Sequence, residues 1–261
     1  MIPPAPTPPS RPRLIQLDDA EAVAGAVAAL IWEELANSRP LRPLGLATGR
    51  TMEPVYAALV QRAQAASGQA LQALRQRWLS FNLDEYVGLP GSDPRSFAAF
   101  MRTWLGEPLG LEGAQLRLPD GLACDPWGEA VRYGAAVARA GGIGLQILGL
   151  GLNGHVGFNE PPCGPEVPCR CVQLSAITRR QNAASFGGDP LAVPQRAITL
   201  GMAEILAAQR IVLVVTGAAK APVLRRLLTD PPTPELPASW LQRHGAVTVL
   251  ADRAALPERP D

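Results

Sequence analysis

Residues 143–161 read IGLQILGLGLNGHVGFNEP. The first eight form a nearly continuous apolar run, which Gly151, Gly154 and Gly157 then break. A run of that length bounded by glycine fits a strand buried on both faces, and such strands belong to parallel sheets enclosed by helices. The predicted fold class is therefore α/β: a mostly parallel sheet with helices on both faces, a Rossmann-like three-layer sandwich. The stretch also marks where chemistry would sit. Ligands of open α/β sheets bind beyond the carboxyl ends of the strands, and His155, one of only two histidines, stands at such an end.

Working outward, strand and helix patterns alternate. RLIQL (13–17) reads as a short strand, and Asp18 with Glu21 makes a capping-box-like start to a helix through about Ala36. PLGLAT (43–48) is a strand, and Pro54 opens a helix in the first turn, where its missing N–H costs nothing. RWLSFNL (77–83) and the short QLRLP read as strands, and SFAAFMRTWL (96–105) and WGEAVRYGAAVARA (127–140) as helices, the latter ended by Gly141 and Gly142. RIVLVVTG (210–217) is a second buried strand leading into the helix AAKAPVLRRLL, and AVTVLAD (246–252) closes the sheet. No Gly-, Ser- or Pro-rich linker cuts the chain, so residues 13–261 are expected to form one domain. Residues 1–12 are expected to form a proline-rich, disordered tail.

Composition narrows the function. The chain has 261 residues, 47% hydrophobic, with a formal net charge of +1. That balance gives no support for a nucleic-acid or membrane partner, and no apolar run reaches the length of a membrane span. The N-terminus lacks the apolar core of a secretory signal. The four cysteines, at 124, 163, 169 and 171, form no CxxC pair and lie near no histidine in zinc-like spacing. The sequence therefore predicts a cytoplasmic protein with no bound metal.

Gly149, Gly151 and Gly154 formally satisfy G-x-G-x-x-G after a strand. A dinucleotide site would need a helix opening there and an acid about 20 residues later. Pro161 and Pro162 stop any helix, and RCVQLS (170–175) carries no acid. Other strand ends are more telling. Thr48-Gly49-Arg50-Thr51 follows PLGLAT, Asp84 follows RWLSFNL, and Lys220 follows RIVLVVTG. Helix N-termini carry partial positive charge, so Arg50 and Lys220 are unfavourably placed unless an anion lies nearby. A carboxylate, a His155–Glu160 pair and a phosphate cradle together suit proton transfers on a sugar phosphate.

These residues sit in recognisable segments: LGLATGRTMEPVYAAL (44–59), FNLDEYVGLP (81–90), GLGLNGHVGFNEP (149–161), AITLGMAEILAAQRIVLVVTGAAKA (197–221) and PTPELPASWLQ (232–242). In them, over about residues 13–252, the chain resembles the glucosamine-6-phosphate deaminase family, also called glucosamine-6-phosphate isomerase, which is related to 6-phosphogluconolactonases. The resemblance implies that Asp84 moves the C2 proton of the open-chain amino sugar to C1, and that His155 opens the pyranose ring. It implies that Glu160 pairs with His155 and tunes it, and that Thr48, Gly49, Arg50, Thr51 and Lys220 hold the 6-phosphate. The implied products are fructose 6-phosphate and ammonia, made without metal or organic cofactor by a monomer or homo-oligomer.

The chain departs from the family pattern in three respects. Asn153 stands where well-known members carry Asp; its amide can still orient the imidazole. Ala184 stands where an arginine often meets the phosphate, with Arg179, Arg180 or Arg50 as substitutes. Cys163, Gly164 and Val172 replace polar and basic residues of the allosteric members, so activation by N-acetylglucosamine 6-phosphate is not expected. Alternative readings are a 6-phosphogluconolactonase, a galactosamine-6-phosphate deaminase and a non-catalytic sugar-phosphate-binding module. The FNEP motif and Asp84 favour deaminase chemistry over the first.

Overall fold

The computed structural model of the chain describes residues 11–36 and 42–256. The expected tail lies, except for Arg11 and Pro12, outside the described residues. Ten strands follow in order: β1 (Arg13–Leu17), β2 (Leu44–Leu46), β3 (Ser80–Asn82), β4 (Asp84–Tyr86), β5 (Leu116–Arg117), β6 (Leu145–Gly149), β7 (Arg170–Gln173), β8 (Arg196–Thr199), β9 (Arg210–Val215) and β10 (Val247–Asp252). The α-helices are α1 (Ala20–Ala36), α2 (Glu53–Ala65), α3 (Gly68–Arg77), α4 (Phe97–Met101), α5 (Glu107–Leu109), α6 (Pro126–Arg139), α7 (Ala176–Asn182), α8 (Met202–Leu206) and α9 (Ala221–Thr229).

Seven strands form one sheet in the order β1-β10-β9-β6-β2-β3-β5, and every pairing in it is parallel. Helices cover it, as the apolar runs require. Leu145, Ile147 and Leu148 of β6 and Leu213 of β9 are fully buried. Helix α1 shows why these segments fold locally as they do. Val23, Val27, Ile31 and Leu35 recur every four residues and are buried, so one stripe of the helix faces the core. Each such side chain contributes roughly 1.5–3 kcal/mol through burial.

Several sequence expectations are corrected. The acid capping α1 is Asp19, whose carboxylate accepts from Ala22 N at 2.8 Å. Asp18 instead pairs with Arg253 at 2.8 Å. Residues 77–79 do not join the strand, because α3 runs through Arg77. The helix expected over 96–105 passes through a π-helical turn at Arg102–Gly106. Strand β10 lies inside the sheet, between β1 and β9. His244, the second histidine, is half-buried, with Nε2 2.7 Å from the Ala208 carbonyl and Nδ1 accepting from Ala246 N.

The structure adds a second sheet that the sequence reading does not anticipate. Strands β4, β8 and β7 pair antiparallel in the order β4-β8-β7. Leu83 joins the two sheets: its N–H donates to Leu46 O at 2.9 Å, and its carbonyl accepts from Leu200 N at 2.7 Å. Asp84 is thus the first residue after the chain leaves one sheet for the other.

Candidate active site

The strand order reverses between β6 and β2: β3 and β5 extend the sheet on one side, β9 and β10 on the other. A crevice must open where connections diverge in this way. The carboxyl ends of β9, β6, β2 and β3, four neighbours in the sheet, carry Lys220, the His155 loop, the Thr48–Thr51 turn and Asp84. All four line one cleft of about 650 Å³.

Asp84 is 5% exposed, and its carboxyl makes no hydrogen bond among the described residues. Burial, reinforced by the neighbouring Glu85 carboxylate, pushes its pKa up to about 8. Glu85 serves the backbone instead. It accepts the amides of Phe97 (2.9 Å) and Ala98 (2.8 Å) and so caps α4. Two adjacent carboxyls are thereby separated, one committed to the backbone and one free in the cleft. The loop glycine Gly157 keeps that space open. Its φ is +57°, and a Cβ there would stand 3.3 Å from Asp84 Oδ2 and 3.1 Å from Thr199 Oγ1.

His155 is held by its own loop. Its Nδ1 lies 2.6 Å from Asn153 Oδ1, and its backbone N–H donates to the same oxygen at 3.3 Å. Gly151 makes the fold of this loop possible, because a Cβ on it would overlap the imidazole ring. Desolvation lowers the His155 pKa to about 4; Glu160 opposes this and Lys220 adds to it. The ring is therefore neutral, and with Nδ1 on Asn153 its Nε2 is free to exchange a proton.

Glu160 does not pair with His155 by a hydrogen bond and does not line the cleft. Its carboxylate accepts from Ser175 N (3.1 Å), Ser175 Oγ (2.8 Å) and Thr178 Oγ1, at the N-terminus of α7. It acts on His155 through its field alone. The direct partner of the imidazole is Asn153.

In the turn that also lines the cleft, Gly49 (φ +103°) leads the chain into α2, and Met52 N donates to Gly49 O at 2.8 Å. Lys220 follows Gly217, whose amide is anchored by both oxygens of Asp252 at 3.1 and 3.0 Å. The Lys220 pKa is lowered by burial and then by Arg50. The two cations thus lie in each other's field, with no carboxylate partner among the described ion pairs. An anion bound between them would relieve this repulsion.

Comparison with known proteins decides the lineage. Residues 18–250 match the family model described as glucosamine-6-phosphate isomerases/6-phosphogluconolactonase. The chain belongs to this family. It is 42% identical to a glucosamine-6-phosphate deaminase of Rhodopirellula baltica, over 91% of this chain and 92% of that one. It is 41% identical to the deaminase of Streptomyces avermitilis, over 93% and 90% of the two chains. A solved structure of a monomeric glucosamine-6-phosphate deaminase superposes with a TM-score of 0.87 at 34% identity, covering 93% of this chain and 98% of that chain. The 6-phosphogluconolactonase of Trypanosoma cruzi, at 20% identity and a TM-score of 0.73 over 94% of this chain and 96% of that one, shares the fold.

Against the family pattern, Ala184 lines the cleft, whereas Arg179 and Arg180 do not. Arg50 does, and Lys220 lies in its field. Sequence reading missed three residues. Tyr86 is buried in the cleft wall, packs its ring 5.6 Å from Phe158, and lines the cleft together with Asn182. Asn159 of FNEP donates to Val156 O and Leu200 O and accepts from Arg170, pinning the His155 loop to the second sheet. Arg95 also lines the cleft. The DEY run adjoining Asp84 was a signal for Tyr86. Arg95 precedes a helix in a polar segment that carries no comparable signal.

Proposed function

We propose that the chain is a glucosamine-6-phosphate deaminase, converting glucosamine 6-phosphate and water to fructose 6-phosphate and ammonia. The observation that carries this reading is a buried Asp84 carboxyl, free of hydrogen bonds among the described residues, sharing one cleft with a neutral, oriented His155 and the cations Arg50 and Lys220. The identities of 36–42% to curated deaminases support it.

The chemistry follows from the placement. The Thr48–Thr51 turn, Arg50 and Lys220 hold the phosphate dianion. His155 Nε2 takes the C1 hydroxyl proton and delivers it to the ring oxygen, so that the pyranose C–O bond breaks. Asp84 then removes the C2 proton, and the electron pair passes through C1 to its carbonyl oxygen, which takes the proton that the C2 ammonium gives up; the same carboxyl returns its proton at C1 as the nitrogen lone pair forms the C2=N bond. The amino carbon becomes an imine, which water hydrolyses to the ketone with release of ammonia. A pKa near 8 suits this base, since a good proton shuttle titrates close to the working pH. The field of the bound ammonium-bearing sugar favours its carboxylate form.

The direct test is incubation of the purified protein with glucosamine 6-phosphate, assaying ammonia and fructose 6-phosphate together, with Asp84→Asn in parallel. Equimolar products, lost in a variant that still binds the sugar phosphate, are expected. Wild-type rates in Asp84→Asn, or no turnover by folded wild type, would overturn the reading.

A further inference from the structure

The cleft contains a third cation that the reaction above leaves unused. Arg95 lines it beside Ser96 and Phe97. Its guanidinium is fixed on two sides. Asp93 accepts Nε at 2.9 Å and Nη2 at 2.6 Å, and the ring of Phe186 lies 5.5 Å beneath it. The short loop that carries it is itself tied down: Ser96 Oγ donates to Asp93 O at 2.8 Å, Asp93 N donates to Pro90 O at 2.9 Å, and Arg95 N donates to Asp93 Oδ1 at 2.9 Å. Nη1 alone makes no hydrogen bond among the described residues.

We infer that Arg95 is a specificity-determining residue, whose free Nη1 edge donates to a hydroxyl on the middle carbons, C3 or C4, of the sugar phosphate. Charge balance separates this role from phosphate binding. A phosphate dianion is matched by Arg50 and Lys220, which lie in each other's field, whereas the charge of Arg95 is already met by Asp93. A pre-oriented, neutralised ion pair with an open donor suits an uncharged acceptor. With Asp84 and His155 assigned to the reacting carbons and the two other cations to the phosphate, the C3 and C4 hydroxyls are the polar groups of the sugar left without a partner, and the Nη1 of cleft-lining Arg95 is a donor left without an acceptor among the described residues. A donor that the wrong epimer covers but leaves unpaired costs affinity, so such a contact discriminates between C4 epimers.

This inference rests on the proposed deaminase reading for its substrate class, and its test does not depend on turnover. Binding of glucitol 6-phosphate and galactitol 6-phosphate, which differ at C4, is measured by calorimetry on wild type, Arg95→Ala and Arg95→Lys, with inorganic phosphate as a third probe. Wild type is expected to prefer one epimer by about tenfold or more, and Arg95→Ala to bind both within about twofold. Arg95→Lys should not restore the preference, because an ammonium lacks the planar fork. Affinity for inorganic phosphate should be unchanged in both variants. If Arg95→Ala fails to fold, Arg95→Met serves in its place. An epimer ratio unchanged by the substitution, no preference in wild type, or a selective loss of inorganic phosphate binding would each overturn the assignment. An Arg95-dependent ratio in a protein that releases no ammonia would sustain it while refuting the deaminase reading.

Discussion

The Nδ1 of His155 lies 2.6 Å from Oδ1 of Asn153, and the His155 amide hydrogen is directed at the same oxygen. A backbone N–H donates only to an acceptor, so the oxygen of Asn153, not its NH2, faces the ring. Nδ1 therefore carries a hydrogen and Nε2 the lone pair. An uncharged acceptor fixes this tautomer without stabilising imidazolium, which agrees with a His155 pKa of about 4.

Replacing Asn153 by Asp keeps the acceptor and adds a charge. The His155 pKa is expected to rise by about one to two units, read by imidazole proton shifts in NMR titration, with turnover within a few-fold of wild type. Asn153→Ala frees the ring and should reduce kcat roughly ten- to hundredfold through lost orientation.

His155→Gln should slow turnover of the pyranose form far more than that of an open-chain analogue, because only the former needs ring opening. Equal losses on both, measured by steady-state kinetics, would remove His155 from that step.

The raised pKa of Asp84 has a thermodynamic consequence. The native state holds a proton there up to about pH 8, whereas the unfolded chain releases it near the ordinary value of 3.8. The associated stability is fully present below the unfolded pKa and is lost as pH rises through about 8. His155 acts in the opposite sense: its contribution is present above the ordinary value of 6.5 and is lost as pH falls through about 4. Asp84→Asn should thus leave the melting temperature nearly unchanged at about pH 4. It should raise it progressively up to about pH 9, on the scale of about 2–4 °C per kcal/mol, as read by calorimetry.

Arg50→Met and Lys220→Met should each raise KM for the sugar phosphate roughly ten- to hundredfold, the loss of one charge-assisted contact, with a smaller effect on kcat. A double-mutant cycle should show coupling, since each cation lies in the other's field when the phosphate is absent.

Glu160→Gln removes the charge that caps α7 but retains an acceptor for Ser175 and Thr178. Amide exchange over residues 176–182 should accelerate, and His155 should titrate lower still, because the Glu160 charge that raises its pKa is gone. Unchanged exchange together with an unchanged His155 titration would show that Glu160 does neither.

The sequence alone determined the parallel sheet and four of the strand ends that make the cleft, because these depend on local signals. IGLQILGL and RIVLVV are apolar on both faces, glycines follow both, and Lys220 follows the second. The chemical types at Asp84, His155, Arg50 and Lys220 were legible for the same reason. Only the tertiary structure decided the partners. Glu160 lies five residues from His155 along the chain, yet it is drawn away by Ser175 and Thr178, while Asn153 takes the ring. The second sheet was not legible because β4, β7 and β8 are three or four residues long, and β4 meets β8 across about 115 positions of chain. Arg95 likewise acquired meaning only when folding set it against Phe186 at the wall of the cleft. Periodicity encodes which face of an element is buried. Which side chains then compete for one hydrogen bond is settled by contacts between residues far apart in the chain.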